Sequence, residues 1–250
     1  MITITKNLFL FSLSAILSLT LILVLPTTIC AQDYKASLAQ MPVYAESKDK
    51  GVLVDLVKAI SKVAGKNIDY VVVPFQRSMD SVTSKKVNFH MPLIKLPNPP
   101  ADLPYDYSTE TIFHVNFTLY ARKGETIDMK NIGNYKIETD LAHVPYFDFK
   151  IASTTDLAAS VSKVVNKRID GLIFADNAID PIIKGLPDAD KAKIQRQLYK
   201  VFDVKIILPK GENGKEVDQY LSKHIKTLRD SGEFAKIMSA IDAPFDNWQP

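Results

Sequence analysis

Cysteine is nearly absent: Cys30 is the only one in 250 residues. A disulfide framework is therefore excluded, as is thiol catalysis by anything beyond residue 30, and stability has to come from a packed core. A dominant sign of charge is also missing. Lys and Arg number 31 against 28 Asp and Glu, a formal net charge of +3, with both signs interspersed. That is no nucleic-acid stripe, so no nucleic-acid partner is expected. Histidines number four and none has HExxH or HxxxH spacing, which removes the sequence case for a metal. Neither GxSxG nor a glycine-rich phosphate loop occurs, so no catalytic residue and no cofactor are expected. The triplet Asn116-Phe117-Thr118 matches a glycosylation sequon but lies in an apparent strand and carries no weight.

Long apolar runs occur once. Lys6 precedes an uncharged run over residues 8–25, Pro26 breaks it, and Ala31 closes a candidate cleavage site. This reads as a secretory signal over residues 1–31 that is removed on export, leaving 219 residues in the periplasm. A retained anchor and a lipid-modified Cys30 are the other readings. Lys6 is the only charge lost, which leaves thirty basic against 28 acidic side chains. No second run is long enough to span a bilayer.

Helical and strand periods alternate along the rest of the chain, which predicts α/β architecture. A first strand falls within residues 34–44. Gly51 opens a helix with Leu53, Leu56, Val57, Ile60 and Val63 on one face, and Gly65 stops it. Residues 68–73 are a β-branched strand ended by Pro74, residues 77–85 a short helix, and residues 87–93 a third strand closed by a proline-rich turn. Residues 113–121 alternate strictly, and 201–208 form another strand-like run. Between these two runs lies a unit of about 80 residues with its own strand, helix and strand. A long helical region, interrupted at Gly232, ends the chain. An insert entered and left by extended segments predicts two lobes joined by two crossovers. Lobe one would be residues 32–117 plus 206–250 and lobe two residues 118–205, with one continuous sheet as the alternative.

The stretches GVLVDLVKAISKVAGKNIDYVVVPFQRSMDSV, LPYDYSTETIFHVNFTLYARKG, KIETD, KRIDGLIFADNAID and KIILPKG, in this order and spacing, resemble the family 3 extracellular solute-binding proteins. These are the type II periplasmic receptors that feed ABC importers. The resemblance covers essentially the whole chain after residue 31. It implies a two-lobe fold, each lobe a mostly parallel sheet flanked by helices, with two hinge crossovers. It also implies a small polar or zwitterionic ligand, such as an amino acid, a membrane permease as partner, and a monomer. In amino-acid binders of the family an arginine after the third strand grips the carboxylate and a lobe-two aspartate grips the amino group. Asp176 stands at the aspartate position. The arginine is missing: the matching stretch is LIKLPNPP, where Lys95 is the only cation.

Ligands of open parallel sheets bind outside the carboxyl ends of the strands, and that rule selects the candidate ligand residues. Tyr44 and Glu46 follow the first strand. Phe75 and Arg77 follow the second, with Arg77 at a helix start where its charge opposes the dipole. His90 lies in the third strand, as a ligand donor or as a satisfied core residue. Lys95 and Tyr107 bracket the proline-rich turn. Thr139 and His143 flank Asp140, itself a plain N-cap candidate, and Asp176 ends the IDGLIFAD strand. Catalysis on the same scaffold would fall to Glu46, His90 or Glu110, and a sensing role would take a separate membrane receptor.

Overall fold

The computed structural model describes residues 34–250; the expected signal over residues 1–31 lies outside the described residues. Strand β1 (Tyr34–Ala39) leads through a turn to helix α1 (Val52–Ala64). Of the predicted stripe Leu53, Leu56, Val57 and Ile60 are buried, joined by Val54 and Ala59, while Val63 is half-buried. Each large aliphatic side chain buried there contributes about 1.5–3 kcal/mol. Gly65 ends α1 in the left-handed region at φ 63°, where glycine has no Cβ to clash. Strand β2 (Ile68–Val73) follows, then α2 (Phe75–Thr83) and β3 (Phe89–Ile94). Helix α2 begins two residues before the sequence reading, directly after Pro74.

The next strand, β4, is much longer than its alternating stretch and runs from Tyr105 to Arg122. Then come β5 (Ile137–Asp140), β6 (Ala152–Thr154), which the sequence did not reveal, and α3 (Leu157–Val165). The Asp156 side chain caps α3 by accepting from the Ala159 N–H. Strand β7 (Gly171–Ala175), α4 (Asp176–Lys184), the single turn α5 (Asp188–Lys191) and the long β8 (Ile194–Pro209) follow. The chain closes with α6 (Glu212–Asp230) and α7 (Glu233–Met238), broken at Gly232 with φ 75°.

All eight strands share one hydrogen-bonded sheet in the order β2-β1-β3-β8-β4-β7-β5-β6. Two parallel groups, β2-β1-β3 and β7-β5-β6, flank the antiparallel pair β8-β4. The pair passes from one group to the other: β3 joins β8 over Val204–Ile207, whereas β7 joins β4 over Phe117–Ala121. Its register shifts between Tyr107 and Thr111, between Thr111 and Phe113, and between Phe117 and Thr118. Such bulges bend and twist a strand pair, and these lie where the chain leaves one group for the other.

The sheet is thus continuous but two-centred. Helices α1, α6 and α7 cover one face of the first group, with α2 on the opposite face, and α3 and α4 pack on the second group. A third connection joins the groups. After α7, Asp242 Oδ1 accepts from the His114 N–H at 2.9 Å, and the Ala243 carbonyl accepts from Asn116 Nδ2 at 3.2 Å. The following residues then close over Arg196 in β8. No helix among the described residues is long and apolar enough to cross a membrane, and no cluster of metal-ligating side chains occurs among them.

Candidate functional site

The carboxyl ends of β1, β2 and β3 face those of β5 and β7 across the bent β4–β8 pair, and the segments leaving these strands line the gap. After β1 the chain makes a tight turn pinned by Met41 and Ala45, which exchange backbone hydrogen bonds at 3.0 Å. Val43 sits in this turn at φ 69°, a left-handed conformation that is uncommon and strained for a β-branched residue. Gly51 lets α1 start against it: a Cβ there would meet the Tyr44 carbonyl oxygen at 2.5 Å. The turn presents Tyr44 across the gap, where its hydroxyl accepts from Asn177 Nδ2 on α4 at 3.0 Å. Burial raises the Tyr44 phenol above its usual range. A second hydrogen bond bridges the other side: Tyr146 Oη donates to the Ile94 carbonyl at 2.8 Å.

Between these two ties the gap is lined with rings. Phe117, on the bent part of β4, is fully buried. It lies 4.7 Å from Phe202, 5.5 Å from Phe174 and 5.7 Å from His143, centroid to centroid. Tyr146 stands 5.3 Å from His143 and 5.7 Å from Phe202. On the facing side, Tyr44 lies 5.5 Å from Phe113 and Phe75 stands edge-on to His90 at 5.5 Å.

The ten residues singled out from sequence fall into different environments. Tyr44 spans the gap, and Phe75 is exposed at the start of α2. Arg77 is exposed in the first turn of α2, where its backbone carbonyl accepts from Ser81 Oγ. Lys95 is exposed beyond the end of β3, its N–H held by the Asp203 carbonyl. Tyr107 Oη accepts from the Leu96 N–H, so it braces the turn after β3. Glu46 is taken up locally: it accepts from the Val43 N–H and from Lys50 Nζ at 2.6 Å, and the lysine hydrogen bond pulls its carboxyl below the usual range.

His90 has no exposed surface. It lies beneath α2, with Nδ1 at 2.5 Å from Ser78 Oγ, Ser78 Oγ at 2.8 Å from Ser37 Oγ, and Nε2 at 3.2 Å from the Pro92 carbonyl. A carbonyl only accepts, so Nε2 carries the proton and the neutral ring accepts at Nδ1. Burial pushes the His90 pKa down to about 4.

On the far side of the gap, His143 joins the ring cluster and its Nδ1 lies 2.9 Å from Asp140 Oδ1. Asp140 Oδ1 also accepts from the Ala142 N–H and so opens the 3₁₀ turn Leu141–Tyr146 as its cap. Thr139 is wholly buried, and its hydroxyl has no hydrogen-bond partner among the described residues. Asp176 Oδ2 accepts from Asn116 Nδ2 at 3.1 Å and Oδ1 from the Asn177 N–H at 2.7 Å. Burial raises its pKa against the opposing pull of these hydrogen bonds.

Arg196, which the sequence reading did not select, sits behind Asp176 with its side chain fully buried. Its Nη2 lies 2.9 Å from Asp180 Oδ2, off the hydrogen-bond line, and 3.9 Å from Asp176 Oδ2. Tyr120 Oη donates to Asp180 Oδ1 at 2.7 Å, and Trp248 Nε1 donates to its Oδ2 at 3.1 Å. The rings of Phe245 and Trp248 cover the guanidinium at 4.6 and 4.9 Å, while Gln249 bonds both the N–H and the carbonyl of Arg196. In sequence Arg196 lies in the polar stretch QRQ, ahead of the predicted 201–208 run, and the returning tail covers it.

No protein-family model and no curated protein matches the chain. Solved structures do. A histidine kinase sensor domain with similarity to periplasmic binding proteins is 14% identical over 88% of this chain and 98% of that chain, with a TM-score of 0.56. A probable amino-acid ABC transporter extracellular-binding protein from Bacillus subtilis is 13% identical over 84% of this chain and 97% of that one, TM-score 0.58. An ancestral amino acid-binding protein, a precursor of cyclohexadienyl dehydratase, is 14% identical over 84% and 95%, TM-score 0.55. At these identities the likeness is one of fold, and the fold is that of the type II periplasmic binding proteins.

Proposed function

We propose that this protein is an exported solute-binding protein of the family 3 kind, which takes a small polar or zwitterionic solute, an amino acid or related compound, between two lobes and delivers it to the permease of an ABC importer. Lobe one comprises residues 32–117 plus 206–250 and lobe two residues 118–205, with the segment after α7 strapped across both. The observation that carries the reading is the bent β4–β8 pair, which sets two groups of parallel strands carboxyl end to carboxyl end, with Tyr44–Asn177 and Tyr146–Ile94 as hydrogen bonds between the segments that leave them. Such hydrogen bonds can open and re-form, and a ligand touching both sides shifts that balance toward closure. The fold is shared with amino-acid-binding receptors, which supports the class of ligand.

A thermal-shift screen of refolded, ligand-stripped protein against amino acids, amines, carboxylates and small peptides tests this. A ligand at 100 times its Kd adds about 2.7 kcal/mol of stability. Arg77→Ala should abolish the shift and leave the unliganded melt close to wild type, because Arg77 makes no side-chain hydrogen bond or ion pair with the described residues. An unchanged shift removes Arg77 from the site, and no shift with any solute removes the reading.

A sensing role is the second reading, favoured by the likeness to a histidine kinase sensor domain over 98% of that domain. A membrane kinase that co-purifies with the liganded protein, in place of a permease, would establish it. The enzyme reading has little chemistry to draw on. Glu46 is clasped by Lys50, His90 is sealed under α2, and Glu110 stands 3.6 Å from Arg229. General acid–base work needs a group within reach of the substrate.

A further inference from the structure

The charges around the gap narrow the ligand, on the premise that the solute-binding reading holds. An α-amino acid needs an anionic partner for its ammonium and a cationic partner for its carboxylate. The acids at the carboxyl ends of the lobe-two strands are already compensated. Asp176 takes the Asn116 amide on one oxygen and the Asn177 N–H on the other, with the Arg196 guanidinium 3.9 Å behind it. Asp140 takes the Ala142 N–H and faces His143 Nδ1 at 2.9 Å. Asp148 is exposed near Tyr199, which touches the ring cluster through Phe147.

The cations opposite are not compensated. Arg77 and Lys95 are exposed, and neither side chain makes an ion pair or hydrogen bond with any described residue. Arg77 stands in the first turn of α2, where the helix dipole disfavours a cation and favours an anion, so an anion bound there relieves the one and satisfies the other. Lys95 follows Ile94, the residue tied to Tyr146, and so borders the ring cluster.

Among the described residues four buried hydroxyls lack a partner, those of Thr118, Thr139, Tyr220 and Ser222, and Thr139 is the one in β5. Thr139 is wholly buried and its Oγ1 has no partner, a condition native interiors mostly avoid because a buried polar atom loses its water. In β5, Glu138 turns to Ser160 and Lys163 on α3. Strand alternation therefore aims Thr139 the other way, to the side of Ile137, which belongs to the same buried cluster as Phe117. The surfaces between these groups are aromatic: Tyr44 and Phe75 on one side, His143, Tyr146 and Phe174 on the other.

We infer that the ligand is a small organic anion with a flat apolar body, an aryl or arylalkyl carboxylate without an ammonium group. Its carboxylate lies on the Arg77 and Lys95 side, its ring lies among the aromatic side chains, and a polar substituent or the carboxylate edge meets the Thr139 hydroxyl.

The test uses three compounds with one ring and different charges: phenylacetate, phenylalanine and phenethylamine. Benzoate and indole-3-acetate vary the body, and glutamine and arginine serve as plain zwitterions. Calorimetric titration of the ligand-stripped protein should show an aryl carboxylate binding at least tenfold more tightly than phenylalanine, with phenethylamine silent. Arg77→Ala and Lys95→Ala, both exposed and free to fold, should each weaken that carboxylate by tenfold or more. Thr139→Val, which keeps shape and removes the orphaned hydroxyl, should weaken binding while holding or raising the unliganded melting temperature. Tighter binding of phenylalanine, glutamine or arginine than of any carboxylate overturns the inference and leaves the solute-binding reading standing. Silence from anions, zwitterions and cations alike overturns both.

Discussion

His90 offers the sharpest physical test because its environment is closed on every side. The imidazole has no exposed surface and sits between Ser78 and the Pro92 carbonyl, with Phe75 edge-on at 5.5 Å. Burial holds its pKa at about 4, against about 6.5 in an unfolded chain. Between those two values the unfolded state binds a proton and the folded state does not, so stability rises with pH through this window. Full stability is present above about pH 6.5 and drains as pH falls toward 4. At 1.36 kcal/mol per pH unit, the gap corresponds to about 3 kcal/mol lost between pH 7 and pH 4, with roughly 2 of it gone by pH 5. Carboxylates titrate in the same range, so the measurement has to be a difference. Urea unfolding of wild type and His90→Gln at pH 7, 6, 5 and 4 gives two stability curves, and the variant lacks the titrating ring. The wild-type curve should fall more steeply by about 3 kcal/mol, whatever the offset at pH 7. Parallel curves would mean that the ring takes up its proton in the folded state without penalty, and the account of a sealed, dry site under α2 would be wrong.

Two further outcomes follow from packing. Arg196→Ala should cost about 3–5 kcal/mol, because Asp180 would remain buried with Tyr120 and Trp248 as donors but no cation; removing residues 246–250 should cost less, and chemical denaturation compares the two. Gly214→Ala should unfold the protein or prevent its accumulation. A Cβ at that position would lie 2.0 Å from the Pro209 carbonyl oxygen, a backbone atom that cannot give way; a thermal melt near wild type would contradict the close approach of α6 to the end of β8.

Much of the scaffold was legible because its signals are local. The stripe of α1, its Gly65 stop, the β-branched run of β2 and the Gly232 break all follow from spacing and backbone freedom within a few residues. The two long strands were legible only in part. Residues 105–112 and 194–200 mix charged and polar side chains with apolar ones, and they are strand because the other long strand of the β4–β8 pair takes up their backbone groups. Strand β6 is three residues long and shows no period at all. The insert between two extended runs left two lobes and one continuous sheet both open, and periodicity does not separate them; the structure has two parallel groups within one unbroken sheet.

The site divides along the same line. Position after a strand was enough to place Tyr44, Phe75, Arg77, Lys95, His143 and Asp176 at or just beyond the carboxyl ends of their strands, and Thr139 within the last two residues of β5. Whether each is free to meet a ligand depended on neighbours far away in the chain. Glu46 is spent on Lys50, His90 is roofed by Ser78, Asp176 is occupied by Asn116 sixty residues earlier, and Arg196 is buried by a tail some fifty residues later. The sequence alone determined the helices and the short apolar strands and the ends at which they stop, because periodicity, caps and breakers act over one or two turns. Only the tertiary structure decided which of the converging charges stay unpaired, because pairing and burial are set by contacts between segments that local pattern cannot bring together.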